Sequence, residues 1–253
     1  MALLEVDNLS KAFGGVKAVQ NVSFAVERGL VYSVIGPNGA GKTTLFNLIT
    51  GVYTPSEGDI RLDGHSIAGA APHQLAVKGM ARTFQNLQIC MNMSALENVM
   101  VGAHLQLDRN LVKGMLRLPG LARRDAQLKE EARELMRFVG LESYWQQGAS
   151  AMPYGALKRL EIARALAAKP QILFLDEPAA GLNSKETAEI DELVRKVADN
   201  HVTVVLVEHD MKMVMNISDR ILVLDYGKKL AEGSAREVRE NPDVIAAYLG
   251  SGV

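Results

Sequence analysis

A glycine-rich loop between an apolar run and a predicted helix constrains the fold of this chain more than any other feature. Residues 36–43 read GPNGAGKT, which matches the pattern G-x-x-x-x-G-K-[ST] and follows the apolar run Val31–Ile35. The next residues, TTLFNLIT, predict a helix that stops at Gly51. In such a strand–loop–helix arrangement, backbone N–H groups face inward around phosphate oxygens, and the helix N-terminus adds partial positive charge. The loop therefore predicts an α/β chain that binds the phosphates of a nucleotide.

The residue types within the loop suit phosphate binding. Glycines adopt backbone torsions that other residues avoid, so the chain can curl tightly around the ligand. Lys42 supplies a full positive charge for the β- and γ-phosphates of ATP, and the hydroxyl of Thr43 is a ligand for Mg²⁺. An ordinary glycine-rich turn is the alternative, but the flanking strand and helix favour the phosphate site. We assign the following residues to the nucleotide: Gly36, Pro37, Asn38, Gly39, Ala40, Gly41, Lys42, Thr43 and Thr44.

Short apolar runs in the last third of the chain predict the strands of a parallel sheet. Ile172–Leu175, Thr203–Val207 and Arg220–Asp225 show no alternation, as expected for strands that are buried on both faces. A charged stretch between the first two runs predicts a helix. The first third contains strand-like segments separated by turns, such as LLEVDNL and VQNVSFAV. Strands that alternate with helices indicate α/β architecture.

Two acidic residues follow the first of these apolar runs. Asp176 and Glu177 stand at the carboxyl end of the predicted strand, which is where ligands bind in open α/β sheets. Asp176 can bind Mg²⁺ directly or through water, and Glu177 can polarise the attacking water as general base. The alternative is that both carboxylates only cap a turn before Pro178. The phosphate loop elsewhere in the chain favours the catalytic interpretation.

Two further polar residues are candidates for the same site. His209 follows the run Thr203–Val207, and we predict a polar contact between its side chain and the γ-phosphate. A lone histidine after a strand is more often structural, which is the alternative. Gln85, in ARTFQN, can reach Mg²⁺ or the attacking water from a strand end, but by itself it is no better than a surface residue.

The middle of the chain predicts helices. Ser94–Glu97 is a capping-box pattern, and Asp125–Val139 places its apolar residues on one face, as an amphipathic helix does. We expect Pro119 and Gly120 to form a loop. The chain is therefore expected to be a single domain, in which residues 95–168 form a helical insertion and residues 1–94 and 169–253 form the nucleotide-binding core.

Composition and charge exclude several other classes of protein. The net charge of -1 gives no reason to expect a nucleic-acid partner. Cys90 is the only cysteine, which excludes an intrachain disulfide and a multi-cysteine metal site. The N-terminal residues do not resemble a secretory signal, and no apolar run approaches the ~20 residues that span a bilayer. If the protein works at a membrane, we expect other chains to supply the membrane-spanning part.

In order and spacing, these motifs resemble those of the ATP-binding cassette (ABC) ATPases over essentially the whole chain. Gly36–Thr43 resembles the Walker A motif and Ile172–Glu177 the Walker B motif, while Gln85 is similar to the Q-loop glutamine and His209 to the switch histidine. Phe13 stands where an aromatic residue of the family stacks on adenine, and a core phenylalanine is the alternative. The resemblance implies a P-loop NTPase fold with a mostly parallel core sheet, an antiparallel N-terminal β subdomain and a helical subdomain.

The resemblance also implies how the residues share the work of ATP hydrolysis. Glu177 activates water, while Lys42 and His209 stabilise charge at the γ-phosphate. Thr43, Asp176 and Gln85 are the implied Mg²⁺ ligands.

The signature segment of the family is irregular in this chain. The usual LSGGQ aligns with Met152–Ala156, and in the family this segment reaches the γ-phosphate bound by a partner subunit. The resemblance therefore implies a homo- or heterodimer of ATPase subunits and assigns Tyr154 and Gly155 to the nucleotide. Pro153 offers neither a hydroxyl nor an N–H, whereas Gly155 permits close backbone approach. Either the composite site is weak, or backbone contacts alone suffice.

A finer resemblance is to the ATPases of branched-chain amino acid importers. It rests on the Tyr-Gly pair of the signature and on the segments Glu177–Asn183, Glu208–Lys212 and Asn241–Gly250. The helical segment around 104–130 suggests the larger of the two ATPase subunits in such importers. The resemblance implies ATP and Mg²⁺ as cofactors, permease subunits as partners and, indirectly, a solute-binding protein. It places the chain on the cytoplasmic face of the inner membrane.

Three other classes remain open. An ATPase for lipopolysaccharide export has a similar short cassette, but its signature is usually regular. A soluble ABC protein of DNA repair or translation usually carries a coiled-coil insertion or two cassettes, and neither is visible in this sequence. A non-hydrolysing subunit is suggested by Pro153 and Ala156, whereas Glu177 and His209 argue against it.

Overall fold

The structure, a computed structural model, describes residues 2–106 and 119–249. The chain divides into two compact units, of which the first combines Met1–Arg82 with Gln171–Val253 and the second is Thr83–Pro170. The second unit thus starts before the predicted helical segment 95–168 and includes Gln85. Within the described residues, no helix combines the length and the apolar character needed to cross a membrane.

The strands and helices follow the apolar patterns closely. Val31–Ile35 and Thr203–Val207 form strands with the bounds predicted from the sequence, and every residue in both is buried. In chain order the strands are β1 (Ala2–Phe13), β2 (Val16–Glu27), β3 (Val31–Ile35), β4 (Glu57–Leu62), β5 (His65–Ser66), β6 (Met80–Arg82), β7 (Ile172–Asp176), β8 (Thr203–Val207), β9 (Arg220–Asp225) and β10 (Lys228–Gly233). The α-helices among the described residues are α1 (Lys42–Ile49), α2 (Pro72–Val77), α3 (Ala95–Gly102), α4 (Pro119–Phe138), α5 (Tyr154–Leu166), α6 (Ser184–Asp199), α7 (Met211–Ile217), α8 (Ala235–Glu240) and α9 (Pro242–Leu249).

The larger sheet of the first unit is mostly parallel. Its strand order is β10-β9-β3-β8-β7-β6, and only the β9–β10 pair is antiparallel. Because β3, β8 and β7 run in the same direction, their carboxyl ends meet at one edge of the sheet. The glycine-rich loop follows β3 at this edge, Glu177 follows β7, and His209 lies just beyond β8.

The smaller sheet of the first unit is antiparallel, with the order β2-β1-β4-β5. It shares a hydrophobic core with the larger sheet, to which Leu4 and Val22 contribute from one sheet and Val34 and Leu222 from the other. Each fully buried side chain of this size contributes about 1.5–3 kcal/mol relative to an exposed one. The expected mostly parallel core sheet and antiparallel N-terminal sheet are therefore confirmed.

The second unit contains α3, α4 and α5. The predicted capping box is present, because Ser94 Oγ accepts from the Glu97 N–H at 3.3 Å while Glu97 accepts from the Ser94 N–H at 2.7 Å. The expected loop at Pro119 and Gly120 is wrong, since α4 begins at Pro119. Proline suits the first position of a helix, where no intrahelical partner for an N–H exists. The predicted helical segment around 104–130 includes 107–118, which lie outside the described residues.

Candidate active site

The glycine-rich loop lies tightly against its neighbours in the first unit. Gly36 and Gly41 have φ angles of +152° and +97°, in the region that favours glycine. A Cβ on Gly36 would collide with the carbonyl oxygen of Leu224, and one on Gly41 would lie 2.5 Å from that of Ala18. Both positions therefore require glycine for space as well as for backbone torsion.

Lys42 stands at the first position of α1, beside the loop. Its Nζ donates to the carbonyl oxygens of Gly36 at 2.7 Å and Pro37 at 2.9 Å. Burial lowers the pKa of the Lys42 ammonium, and the negative charge of Glu177 opposes this shift. Gly41 precedes α1 without a capping side chain, so the first amides of the helix face the loop. The loop thus combines helix N–H groups with one positive charge.

Asp176 is buried at the end of β7 and forms an ion pair with Arg82. Arg82 Nη2 lies 2.9 Å from Asp176 Oδ2, and the two side chains are only 11% and 8% exposed. Arg82 Nη1 also donates to Asn47 Oδ1 and Thr50 Oγ1, both at 2.7 Å, and the guanidinium lies over the Phe46 ring. Arg82 therefore links β6 and β7 to α1, the helix that follows the glycine-rich loop.

Glu177 and His209 lie close together at the carboxyl edge of the sheet. Glu177 Oε1 is 3.9 Å from His209 Nδ1, and the His209 side chain is 62% exposed. The φ angle of Glu177 is +48°, which is uncommon for a residue with a side chain. Its N–H donates to the carbonyl of Val207 at 3.0 Å, which ties this strained turn to β8. The first unit thus brings together Lys42, Glu177 and His209.

Sequence reasoning missed two polar residues at this edge, Arg82 and Glu208. Arg82 ends β6, three residues before Gln85, and Glu208 stands between β8 and His209. The available signal was a charged residue directly at the end of an apolar strand. This signal is weak by itself, because charged residues are common where a buried strand reaches the surface.

Phe13 is exposed at the end of β1. Its side chain is 43% exposed, so the alternative of a core phenylalanine is wrong. The ring packs edge-on against Tyr53, with 5.3 Å between ring centroids, and Lys11 Nζ lies 5.2 Å from its centroid. Phe13 pairs with Val16 at the start of β2, the strand whose Ala18 contacts Gly41. An aromatic face is thus available on the strand pair that flanks the loop.

The second unit contains the remaining predicted site residues. Gln85 is exposed, and the backbone on both sides of it bonds to α5, because Glu161 Oε1 accepts from the Phe84 N–H at 3.4 Å and the Gln88 N–H at 3.5 Å. Burial raises the pKa of the Glu161 carboxyl, and these N–H groups oppose the rise.

The irregular signature forms the start of α5. Pro153 is the N-cap and lacks a side-chain hydrogen bond to the helix, while Tyr154 is 45% exposed and Gly155 is buried. Because the first amides of a helix have no intrahelical acceptor, the missing N–H of Pro153 costs the helix nothing.

An acidic group of side chains lies beside the edge of the sheet, on the side of α6. Burial, together with the charges of Asp210, Glu208 and Glu192, raises the pKa of Asp191 to about 6, and the positive charge of Lys212 opposes the rise. Among the described residues, no donor bonds to Asp191 Oδ1. Ionised Asp191 is therefore unfavourable in the folded protein.

The donor groups of the first unit fit ATP with Mg²⁺. The backbone cradle at Gly36 and Gly41 is one that a Cβ would fill, and the positive charge of Lys42 stands beside it. The Thr43 hydroxyl and the Asp176 carboxylate are hard oxygen ligands of the type that Mg²⁺ prefers. When bound, the metal neutralises charge on the phosphate oxygens.

Comparison with known proteins agrees with these features. The sequence pattern of the ABC transporter family matches residues 19–180, and that of the branched-chain amino acid ATP-binding cassette transporter matches residues 228–253. The chain is 48% identical to the high-affinity branched-chain amino acid transport ATP-binding protein BraF of Pseudomonas aeruginosa, over 98% of each chain. It is 45% identical to the protein LivG of the same description from Escherichia coli, again over 98% of each chain.

Solved structures agree at the level of the fold. The ADP conformation of an ATP-binding cassette of an ABC transporter superposes with a TM-score of 0.86, at 31% identity over 99% of each chain. A dimeric cassette in a post-hydrolysis state, bound to ADP and Pi, matches with a TM-score of 0.76 at 26% identity, over 92% of this chain and 99% of that one. The chain therefore belongs to the ABC transporter family, as one of its ATP-binding proteins.

Proposed function

We propose that this chain is the ATP-hydrolysing subunit of an importer for branched-chain amino acids. The observation that carries the proposal is its identity of 48% over nearly the full length to an ATP-binding protein of high-affinity branched-chain amino acid transport. Lys42, Glu177 and His209 lie near one another at one edge of the sheet, which supports ATP hydrolysis by this chain.

The residues of the first unit suggest how the γ-phosphate is cleaved. Loop amides and Lys42 hold the β- and γ-phosphates, so the terminal phosphorus is oriented for in-line attack. Glu177 accepts a proton from water as the water oxygen bonds to that phosphorus. The bond between the γ-phosphorus and the bridging oxygen breaks, which yields ADP and phosphate. His209 donates to the γ-phosphate oxygens as their charge redistributes.

Metal and adenine contacts complete the proposed site. Thr43 and Asp176 would hold Mg²⁺, and Gln85 stays a predicted ligand. The exposed ring of Phe13 stacks on adenine.

The proposed function also requires partner proteins. A second ATPase subunit contributes its signature segment to the nucleotide, as Tyr154 and Gly155 of this chain do for the partner. Permease subunits supply the path through the membrane, and a solute-binding protein delivers the amino acid to them. The chain then lies on the cytoplasmic face of the inner membrane and has no contact with the solute.

The competing classes have less support than the importer. Lipopolysaccharide export, DNA repair and translation do not occur in the descriptions of the relatives reported above, which name branched-chain amino acid transport. A non-hydrolysing subunit would have no use for Glu177 held at 3.9 Å from His209.

A single substitution tests the chemical proposal. Glu177→Gln removes the general base and keeps the side-chain shape, so ATP binding should persist while hydrolysis by the assembled transporter falls to background. Glu27→Gln, at an exposed position on β2, is the matched control and should hydrolyse ATP normally. Near-normal turnover by Glu177→Gln would refute the assignment.

The substrate needs a separate test. A strain that lacks this chain should lose high-affinity uptake of radiolabelled leucine and regain it when the chain is restored. Unchanged uptake would count against the amino acid, and copurified permease subunits would then identify the system.

A further inference from the structure

Glu208 is a fully buried carboxylate between β8 and His209. It is 1% exposed, and both of its oxygens accept hydrogen bonds from backbone amides. Oε1 accepts from the Ala179 N–H at 2.9 Å. Oε2 accepts from the N–H groups of His209 at 3.0 Å and Asp210 at 3.4 Å. One side chain thus joins two segments that are far apart in the sequence.

The first of these segments is the turn that carries Glu177. The Glu177 carbonyl accepts from the Ala180 N–H at 3.1 Å, which closes the turn around Ala179. The Glu177 N–H in turn donates to the Val207 carbonyl, next to Glu208. The Glu177 turn is therefore fixed to the end of β8 at two points, one through the backbone and one through the Glu208 carboxylate.

The second segment begins with His209, whose own N–H bonds to Glu208. The His209 ring is otherwise 62% exposed, and its Nδ1 lies 3.7 Å from Glu208 Oε2 and 3.9 Å from Glu177 Oε1. An exposed ring has several rotamers open to it, so the position of its backbone limits where the ring can go. Glu208 fixes that backbone relative to the Glu177 turn.

We propose that Glu208 is a positioning residue for hydrolysis, which holds Glu177 and His209 in one rigid frame. The proposal rests on the proposed function, because it gives Glu208 no contact of its own with ATP. A buried carboxylate is costly unless it is fully hydrogen-bonded. Here its two oxygens satisfy three amides in two segments, an arrangement that a neutral amide side chain, with one acceptor oxygen, cannot reproduce.

Glu208→Gln in the full chain, assembled with its permease partners, tests this directly. The side-chain nitrogen of glutamine cannot accept, so either the Ala179 bond or the bonds to His209 and Asp210 break. A displacement of about 1 Å at a reacting group costs roughly 100-fold in rate. We expect kcat to fall by roughly 10- to 100-fold, while KM and the affinity for ATP change by less than about twofold.

Two further variants separate positioning from a general loss of stability. Ser234→Ala removes the N-cap of α8, whose hydrogen bonds lie within its own helix, and should keep the kcat of the original chain. Adding Glu208→Gln to His209→Ala should cost a smaller factor in kcat than Glu208→Gln costs in the original chain, because one of the two groups that Glu208 positions is already gone and residues that act as a unit are not additive.

The outcomes separate the two proposals. Unchanged kcat in Glu208→Gln, or losses that multiply in the double variant, would overturn the role of Glu208 while leaving Glu177→Gln inactive. Normal hydrolysis by Glu177→Gln would overturn the proposed function instead. If Glu208→Gln does not fold, Glu208→Asp replaces it in the same single and double variants. Aspartate keeps both acceptor oxygens, but its shorter side chain cannot reach the amides of both segments at once. A kcat for Glu208→Asp equal to that of the original chain would then overturn the proposal.

Discussion

The ion pair between Arg82 and Asp176 gives the most direct test of the energetics of this fold. The two groups are 2.9 Å apart and only 11% and 8% exposed, so water screens their attraction weakly. Arg82→Met removes the positive charge, while the apolar side chain of the new methionine can still pack on the Phe46 ring. Breaking a buried pair by removing one partner costs about 3–5 kcal/mol.

The measurement is urea unfolding at pH 7, followed by circular dichroism, with thermal melting alongside. For a chain of this size, 1 kcal/mol shifts the melting temperature by about 2–4 °C, so Arg82→Met should melt about 6–20 °C lower. Arg28→Met is the matched control, because the Arg28–Asp63 pair has a similar distance of 2.7 Å but side chains that are 48% and 63% exposed. Such a surface pair contributes about 0–1 kcal/mol. Equal, small losses in both variants would refute the claim that burial makes the Arg82 pair strong.

Three more outcomes follow from the geometry. Gly36→Ala should abolish ATP binding in an equilibrium binding assay, because its Cβ meets a carbonyl of β9, whereas Gly29→Ala, which has a positive φ but open space, should bind normally. Asp191→Asn should stabilise the chain at pH 8 by about 1–2 kcal/mol after allowance for partial exposure. Folding raises the pKa of Asp191 from 3.8 to about 6, so the gain in the free energy of unfolding should shrink as the pH falls between these two values and vanish near pH 3.5. Urea titrations at several pH values measure this gain. A gain that does not depend on pH would contradict the argument. Phe13→Ala should raise KM for ATP several-fold at constant kcat while Phe13→Trp restores it, and equal KM values in all three proteins would exclude stacking.

Parts of this molecule with one dominant local signal could be predicted from sequence. The strands β3 and β8 have their predicted bounds because each is a short apolar run, buried on both faces, between polar neighbours. The start of α3 was predicted because Ser94 and Glu97 satisfy each other's backbone within four residues. In these cases the signal that predicts the element, an apolar run or a capping pair, lies within a few consecutive residues.

The parts that depend on distant partners could not be predicted. β1 and β2 each extend well beyond the apolar runs, since polar residues such as Ser10 and Lys11 pair along the neighbouring strands. Arg82 acquires its role only when folding brings β7 and α1 beside it. The helix start at Pro119 was missed because proline serves both loops and first helical positions. The assignment of residues 95–168 to a helical insertion, and of the remaining residues to the nucleotide-binding core, stays a prediction.

The backbone of Glu177 has a consequence for selection experiments. A φ of +48° costs an ordinary residue about 1–2 kcal/mol relative to glycine, which adopts it freely. Replacement of Glu177 by glycine would thus relax the turn while removing the proposed general base. A screen that rewards heat resistance alone should enrich glycine at this position and deliver inactive proteins, whereas a screen that also demands growth on scarce leucine should retain glutamate. Under the proposed role of Glu177, the strained turn at this position is the cost in stability of placing a general base at the edge of the sheet.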